Sequence, residues 1–134
     1  MLDIGKTAEA SFKVQPSDTA EALSISPEDS FPPVFATSRM IALMELAAAR
    51  LMRPMLQAGQ LSVGMSLNVT HTAATPVGCT VRAIAAYQGP EGKSHRFKVQ
   101  ALDDSGPIGE GEHVRAIVST ERLLAGAAKR KVAS

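Results

Sequence analysis

The sequence contains no tryptophan, one tyrosine and four phenylalanines. So few aromatics exclude a stacking platform for single-stranded nucleic acid. Neither sign of charge dominates: fourteen Lys and Arg stand against thirteen Asp and Glu. A formal net charge of +1 supplies no field for nucleic acid or an acidic membrane surface. Cys79 is the single cysteine, so no internal disulfide can form, which fits a reducing compartment. The N-terminal MLDIGKTAEA resembles neither a signal peptide nor an arginine-rich transit peptide. No apolar run approaches the ~20 residues that span a bilayer. A single cytoplasmic domain over residues 1–134 is expected, with no nucleic-acid or membrane partner.

Several chemistries are missing as well. The glycines match neither a phosphate-binding loop nor a dinucleotide fingerprint, and no GxSxG elbow occurs. His71, His95 and His113 fall on different predicted strands, so no metal-ligand cluster and no metal is expected.

What the chain does have is one unusual helix. Met40 to Ala49 reads MIALMELAAA, with Glu45 its one charge. The residues three and four positions away are Ile41, Ala42, Ala48 and Ala49, so no local ion pair is available. A helix apolar nearly all round is normally buried, and a buried unpaired carboxylate is costly. Two readings stand: Glu45 emerges on an exposed edge, or it faces the interior against a partner distant in sequence.

Thr37 and Ser38 are both good N-cap residues, which predicts a helix from Ser38 to Arg53, ended by Pro54 and Gly59. Around it lie alternating segments. Thr7–Val14, Leu61–Thr72, Thr80–Gln88, Ser94–Leu102 and Glu112–Thr120 each read as a strand. In the second, strict alternation puts Leu61, Val63, Met65, Leu67, Val69 and His71 on one face, with Ser62, Gly64 and Asn68 on the other. Residues 15–33 read as loop, with a short strand or turn near Ala22–Ile25, and end in the apolar Phe31-Pro-Pro-Val-Phe35. That segment fits either a clamp on the helix start or a lid over a pocket. Gly89–Gly92 and Asp103–Pro107 are the expected hairpin turns. Residues 124–134, small and basic, are expected to form a flexible tail. The order predicts an α+β layer pair, one long helix covered by a curved antiparallel sheet of about five strands.

A hydroxyl, a carboxylate and an imidazole remain as candidates: Thr37, Glu45 and His71. Thr37 and Glu45 lie eight residues apart on the helix, so their directions differ by roughly 80°. With His71 they would suit acyl transfer to water, provided its strand passes the same end.

Three stretches, FPPVFATSRMIALMELAAARLMRP, SVGMSLNVTHTAATPVG and GEGEHVRAIV, closely resemble the fluoroacetyl-CoA thioesterase family of the hot-dog fold. The resemblance spans roughly residues 31–121 and rests most on VFAT followed by MELA, and on VTHTAATP. It implies a homodimer that hydrolyses a short-chain acyl-CoA, halogenated or not, to the free acid and coenzyme A, without a cofactor beyond the substrate's own CoA. It implies that Thr37, Glu45 and His71 are catalytic. By the same resemblance Gly64 lies beside the acyl group, Arg115 borders the pocket and Phe31 is a lid residue. The member specialised for fluoroacetyl groups has a second lid aromatic just upstream of the first, where this chain reads Pro27-Glu28-Asp29-Ser30. A hydratase or dehydratase acting on acyl-CoA, and an acyl-CoA binding module without turnover, are the rival readings.

Overall fold

The computed structural model describes residues 2–131. Strand β1 is Thr7–Lys13 and helix α1 is Thr37–Met52. Strands β2, β3, β4 and β5 are Gln60–His71, Thr80–Glu91, Ser94–Asp103 and Gly106–Ser119, and helix α2 is Thr120–Lys129. The strands make one antiparallel sheet in the order β1-β3-β4-β5-β2. This is the α+β arrangement expected, with α1 packed across the sheet. Strand β2 follows α1 in the chain but lies at a free edge, paired through β5 alone.

Helix α1 buries Met40, Leu43, Met44, Ala47, Ala48, Leu51 and Met52, a set spaced by three and four residues. Opposite them stand Val81, Ala83 and Ala85 of β3 and Phe97, Val99 and Ala101 of β4. Alanines on both surfaces let helix and sheet approach closely. The helix is not covered all round. Ala42 and Leu46 are exposed beside the half-buried Glu45 and Ala49, and Leu46 keeps 45% of its surface.

The helix start differs from expectation. Ala36 is the N-cap and no side chain caps the helix; the hydroxyl of Thr37 is engaged elsewhere. Pro54 sits in a 3-10 turn, Arg53–Met55, and Gly59 takes a positive φ of 83° before β2. Between β1 and α1 the chain makes two 3-10 turns, Pro16–Asp18 and Glu21–Leu23, rather than a strand. Bridges from Thr19 to Phe35 and from Val34 to Pro76 hold that loop over the N-terminus of α1.

Two strands depart instructively from the simple alternation. The β2–β5 register shifts between Gly64 and Ser66, a bulge that leaves Met65 unpaired and 62% exposed. The extra residue swaps faces, so Ser62 and Gly64 before it turn inward together with Val69 and His71 after it. Strand β5 begins at Gly106, six residues before its predicted start. Its inward side chains include His113 and Arg115 rather than an apolar set.

Gly109 and Gly111 allow β5 to pass beneath β2. A Cβ at Gly111 would run into the Asn68 carbonyl oxygen, and one at Gly109 would lie 2.5 Å from the Thr70 carbonyl oxygen. Backbone cannot yield as a side chain can. Gly111→Ala is therefore expected to cost about 1–3 kcal/mol, seen as a lower denaturation midpoint. An unchanged midpoint would mean that the two strands part more easily than this packing implies.

The C-terminal segment expected to be a tail is helical through Lys129, capped by the Ser119 hydroxyl accepting from the Arg122 N–H. Residues 132–134 of that expectation lie outside the described residues. Among the described residues no helix is long and apolar enough to cross a membrane.

Candidate active site

The first cluster lies where α1 begins. The Thr37 hydroxyl is 2.8 Å from Nδ1 of His71. Phe31, Pro32, Val34, Phe35 and residues Thr72 to Ala74 complete a hollow around the pair. Phe35 is buried and meets the His71 ring edge-on at 6.5 Å, while Phe31 stays 52% exposed at the rim, where a lid residue would sit. Nε2 of His71 is the one buried side-chain nitrogen or oxygen among the described residues that has no hydrogen-bond partner. Burial pushes His71 below the ordinary imidazole value, against a smaller opposing pull from the Ala73 backbone. Burial thus favours the neutral ring, which Thr37 orients at Nδ1 while Nε2 is left without a partner.

The second cluster lies two turns along the helix. Oε2 of Glu45 accepts from Nη1 of Arg115 at 3.0 Å. Arg115 also donates from Nε to the Ser62 hydroxyl, from Nη2 to the Ser62 carbonyl and from Nη1 to Nε2 of His113. The guanidinium side chain is 7% exposed and the carboxylate 37%. The interior-facing charge therefore has a cationic partner seventy residues away in sequence. Gly64 lies directly under the carboxylate: a Cβ there would stand 2.6 Å from Glu45 Oε2.

Within one chain the six predicted residues form two groups. Thr37, His71 and Phe31 share one hollow; Glu45, Gly64 and Arg115 share another. The expectation that Glu45 and His71 converge on one pocket of a single chain is not met, and Thr37 contacts His71, not Glu45. The strand register gives the reason. Gly64 pairs with Arg115 and His71 with Gly109, six residues further along β5, which is roughly 20 Å of strand. Ser62 and His113 were not singled out from the sequence. For His113 the signal was its two-residue spacing from Arg115, which puts both on one strand face; Ser62 meets Arg115 only through the pairing of β2 with β5. Among the described residues no three potential metal ligands come together.

The three imidazoles, one buried and two partly so, make stability depend on acid. His71, His95 and His113 all lie below the ordinary value of 6.5, in each case chiefly because burial disfavours the charged ring. Well above pH 6.5 neither the folded nor the unfolded chain binds protons at these sites. Below it the unfolded chain protonates first, so folding stability falls as pH drops through and below that value. Denaturation midpoints at pH 7.5 and 5.5 check this; equal or higher stability at 5.5 would contradict it.

Comparison with known proteins follows the same outline. Residues 14–121 match the family model described as fluoroacetyl-CoA-specific thioesterase. The chain is 41% identical over 126 residues to a fluoroacetyl-CoA thioesterase from Streptantibioticus cattleyicolor, covering 92% of this chain and 91% of that one. A solved structure of the fluoroacetyl-CoA thioesterase FlK superposes with a TM-score of 0.93 at 39% identity, over 98% of this chain and 99% of that one. A hot-dog-like protein from Thermanaerovibrio acidaminovorans superposes with a TM-score of 0.79 at 25% identity, over 98% and 94%.

Proposed function

The chain belongs to the fluoroacetyl-CoA-specific thioesterase family, and from that footing we propose that it hydrolyses a short-chain acyl-CoA, halogenated acyl groups included, at a site completed by a second copy of itself. It has the hot-dog fold of that family. The reading rests on one observation: β2 carries two half-sites along a free edge. Gly64 lies beneath Glu45 near the middle of the strand, and His71 closes its end. An unpaired edge of twelve residues is a ready template for another strand. Antiparallel pairing of β2 with its copy, centred near Leu67 and Asn68, would lay His71 of the partner subunit beside Gly64 and Glu45 of the first. Two equivalent sites follow from the two-fold symmetry. Exposed Leu61 and Met65 lie on that strand, and a second copy packed there would shield them from water.

Each residue then has a task. Glu45, held by Arg115, acts on the thioester carbonyl as nucleophile or as the base for the attacking water. His71, oriented by Thr37, first takes a proton at Nε2 from the attacking water, directly or by way of Glu45, and the imidazolium so formed then passes it to the departing CoA thiolate. The Gly64 N–H supports the acyl oxygen as negative charge develops there, a contribution typically worth ~2.7–4 kcal/mol. Phe31 shields the acyl group at the rim. Coenzyme A enters as part of the substrate.

Complementation between inactive variants tests the shared site. Glu45→Ala and His71→Ala proteins are each expected to be inactive in thiol release from short acyl-CoA esters. Unfolded and refolded together at equal amounts, they should recover about a quarter of wild-type activity, because half the dimers carry one intact site of two. No recovery, with mixed dimers demonstrated by mass spectrometry, would place each complete site within one chain. Loss of thiol release by the wild-type protein itself would remove the hydrolase reading.

A further inference from the structure

His113 has no role in the chemistry above, yet it is fully buried and hydrogen-bonded at both ring nitrogens. Nε2 lies 3.1 Å from Nη1 of Arg115. A guanidinium can only donate, so Nε2 must be the acceptor and the ring proton must sit on Nδ1. That proton is donated to the Ser66 carbonyl at 2.8 Å. Ser66 is the residue at which β2 regains register after its bulge. The imidazole therefore spans from the bulge that turns Gly64 inward to the guanidinium that holds Glu45. Phe97 packs on the ring at 6.3 Å between centroids, and Cε1 would be 3.3 Å from a Cβ at Gly64.

We propose that His113 is a positioning residue for the hydrolysis: a neutral imidazole that couples the β2 bulge to Arg115, and through Arg115 fixes the Glu45 carboxylate. The proposal rests on the hydrolase reading for its kinetic consequence and on hydrogen-bond geometry alone for its tautomer. Without an acceptor on Nε2, a buried Nη1–H is left unpaired and the planar guanidinium is held on the protein side by its two Ser62 bonds alone, so a tilt of the whole group carries the Glu45 carboxylate with it. A shift near 1 Å in a reacting group can cost about a hundredfold in rate.

Three substitutions separate this role from a merely structural one. His113→Asn keeps a donor for Ser66 but is too short to reach Arg115. His113→Gln extends an amide oxygen toward Arg115. His113→Phe keeps the ring shape and removes both bonds. We expect kcat to fall about tenfold to a hundredfold in the Asn and Phe variants, with KM within about twofold, and to recover to within about threefold in Gln. Circular dichroism melting checks that each variant is folded at the assay temperature. If Phe does not fold, the Asn and Gln pair still decides. Equal kcat in the Asn and Gln variants would overturn the proposal. The tautomer is read separately from the nitrogen-15 shifts of His113 in the wild-type protein. The Nδ1–H form is expected; an Nε2–H or doubly protonated ring at pH 7 would overturn the proposal whatever the substrate proves to be.

Discussion

Glu45→Gln is expected to lower kcat about a thousandfold or more while the protein stays folded. Glutamine has nearly the shape of glutamate, and its amide oxygen can still accept from Nη1 of Arg115, 3.0 Å from the present carboxylate oxygen. What disappears is the negative charge that attacks carbonyl carbon or draws a proton from water. The structural cost should be modest. Arg115 keeps its bonds to Ser62 and His113. The carboxylate side chain is 37% exposed, so the broken pair is partly screened by solvent. Its loss should fall between the ~1 kcal/mol of an exposed pair and the ~3–5 kcal/mol of a fully buried one, because the guanidinium left without its counter-charge is only 7% exposed. Thiol release across short acyl-CoA esters, beside a thermal melt, measures both quantities. A variant that turns over within tenfold of wild type would leave Glu45 a structural anchor for Arg115 and no more.

That pair also marks how far the amino-acid pattern could be read. The helix from Ser38 and the five alternating segments were legible because burial against a single layer imposes periods near 3.6 and 2, although the helix read as apolar nearly all round while one edge of it is exposed. Glu45 stood out because nothing on its own helix could pair with it. Its actual partner was hidden. Arg115 lies in an alternating strand whose valines suggested the opposite face as the inward one, and only the sheet order reveals that His113 and Arg115 point to the helix. The bulge at Gly64–Ser66 was hidden too, since strict alternation carried His71 inward and Gly64 outward, whereas both face inward. A one-residue insertion in register leaves little mark beyond a glycine. The capping role offered by Thr37 was displaced by a tertiary contact, because its hydroxyl meets His71. The separation of the two half-sites is a matter of long-range strand order, which local periodicity does not encode.

Gly64→Ala should separate activity from stability more cleanly than any change to a charged residue. The backbone at Gly64 is not in the left-handed region, so alanine meets no conformational strain there. Its Cβ would instead lie 2.6 Å from Glu45 Oε2, 3.3 Å from Glu45 Cδ and 3.3 Å from His113 Cε1. The side-chain end of Glu45 is the softest of these neighbours, so the carboxylate yields and the sheet does not. It then leaves the Nη1 of Arg115 and the line of approach to the thioester carbonyl. A displacement of that size is expected to lower kcat about a hundredfold, with a stability change within ~1 kcal/mol because the fold only has to release one half-exposed side chain. Gly111→Ala gives the opposite profile, since its added carbon meets the backbone and side chain of β2 rather than a flexible terminus. Measured side by side, a Gly64→Ala protein that melts early but turns over normally would reverse the assignment, placing the glycine in the packing of the strand and freeing the carboxylate from the position in which Arg115 holds it.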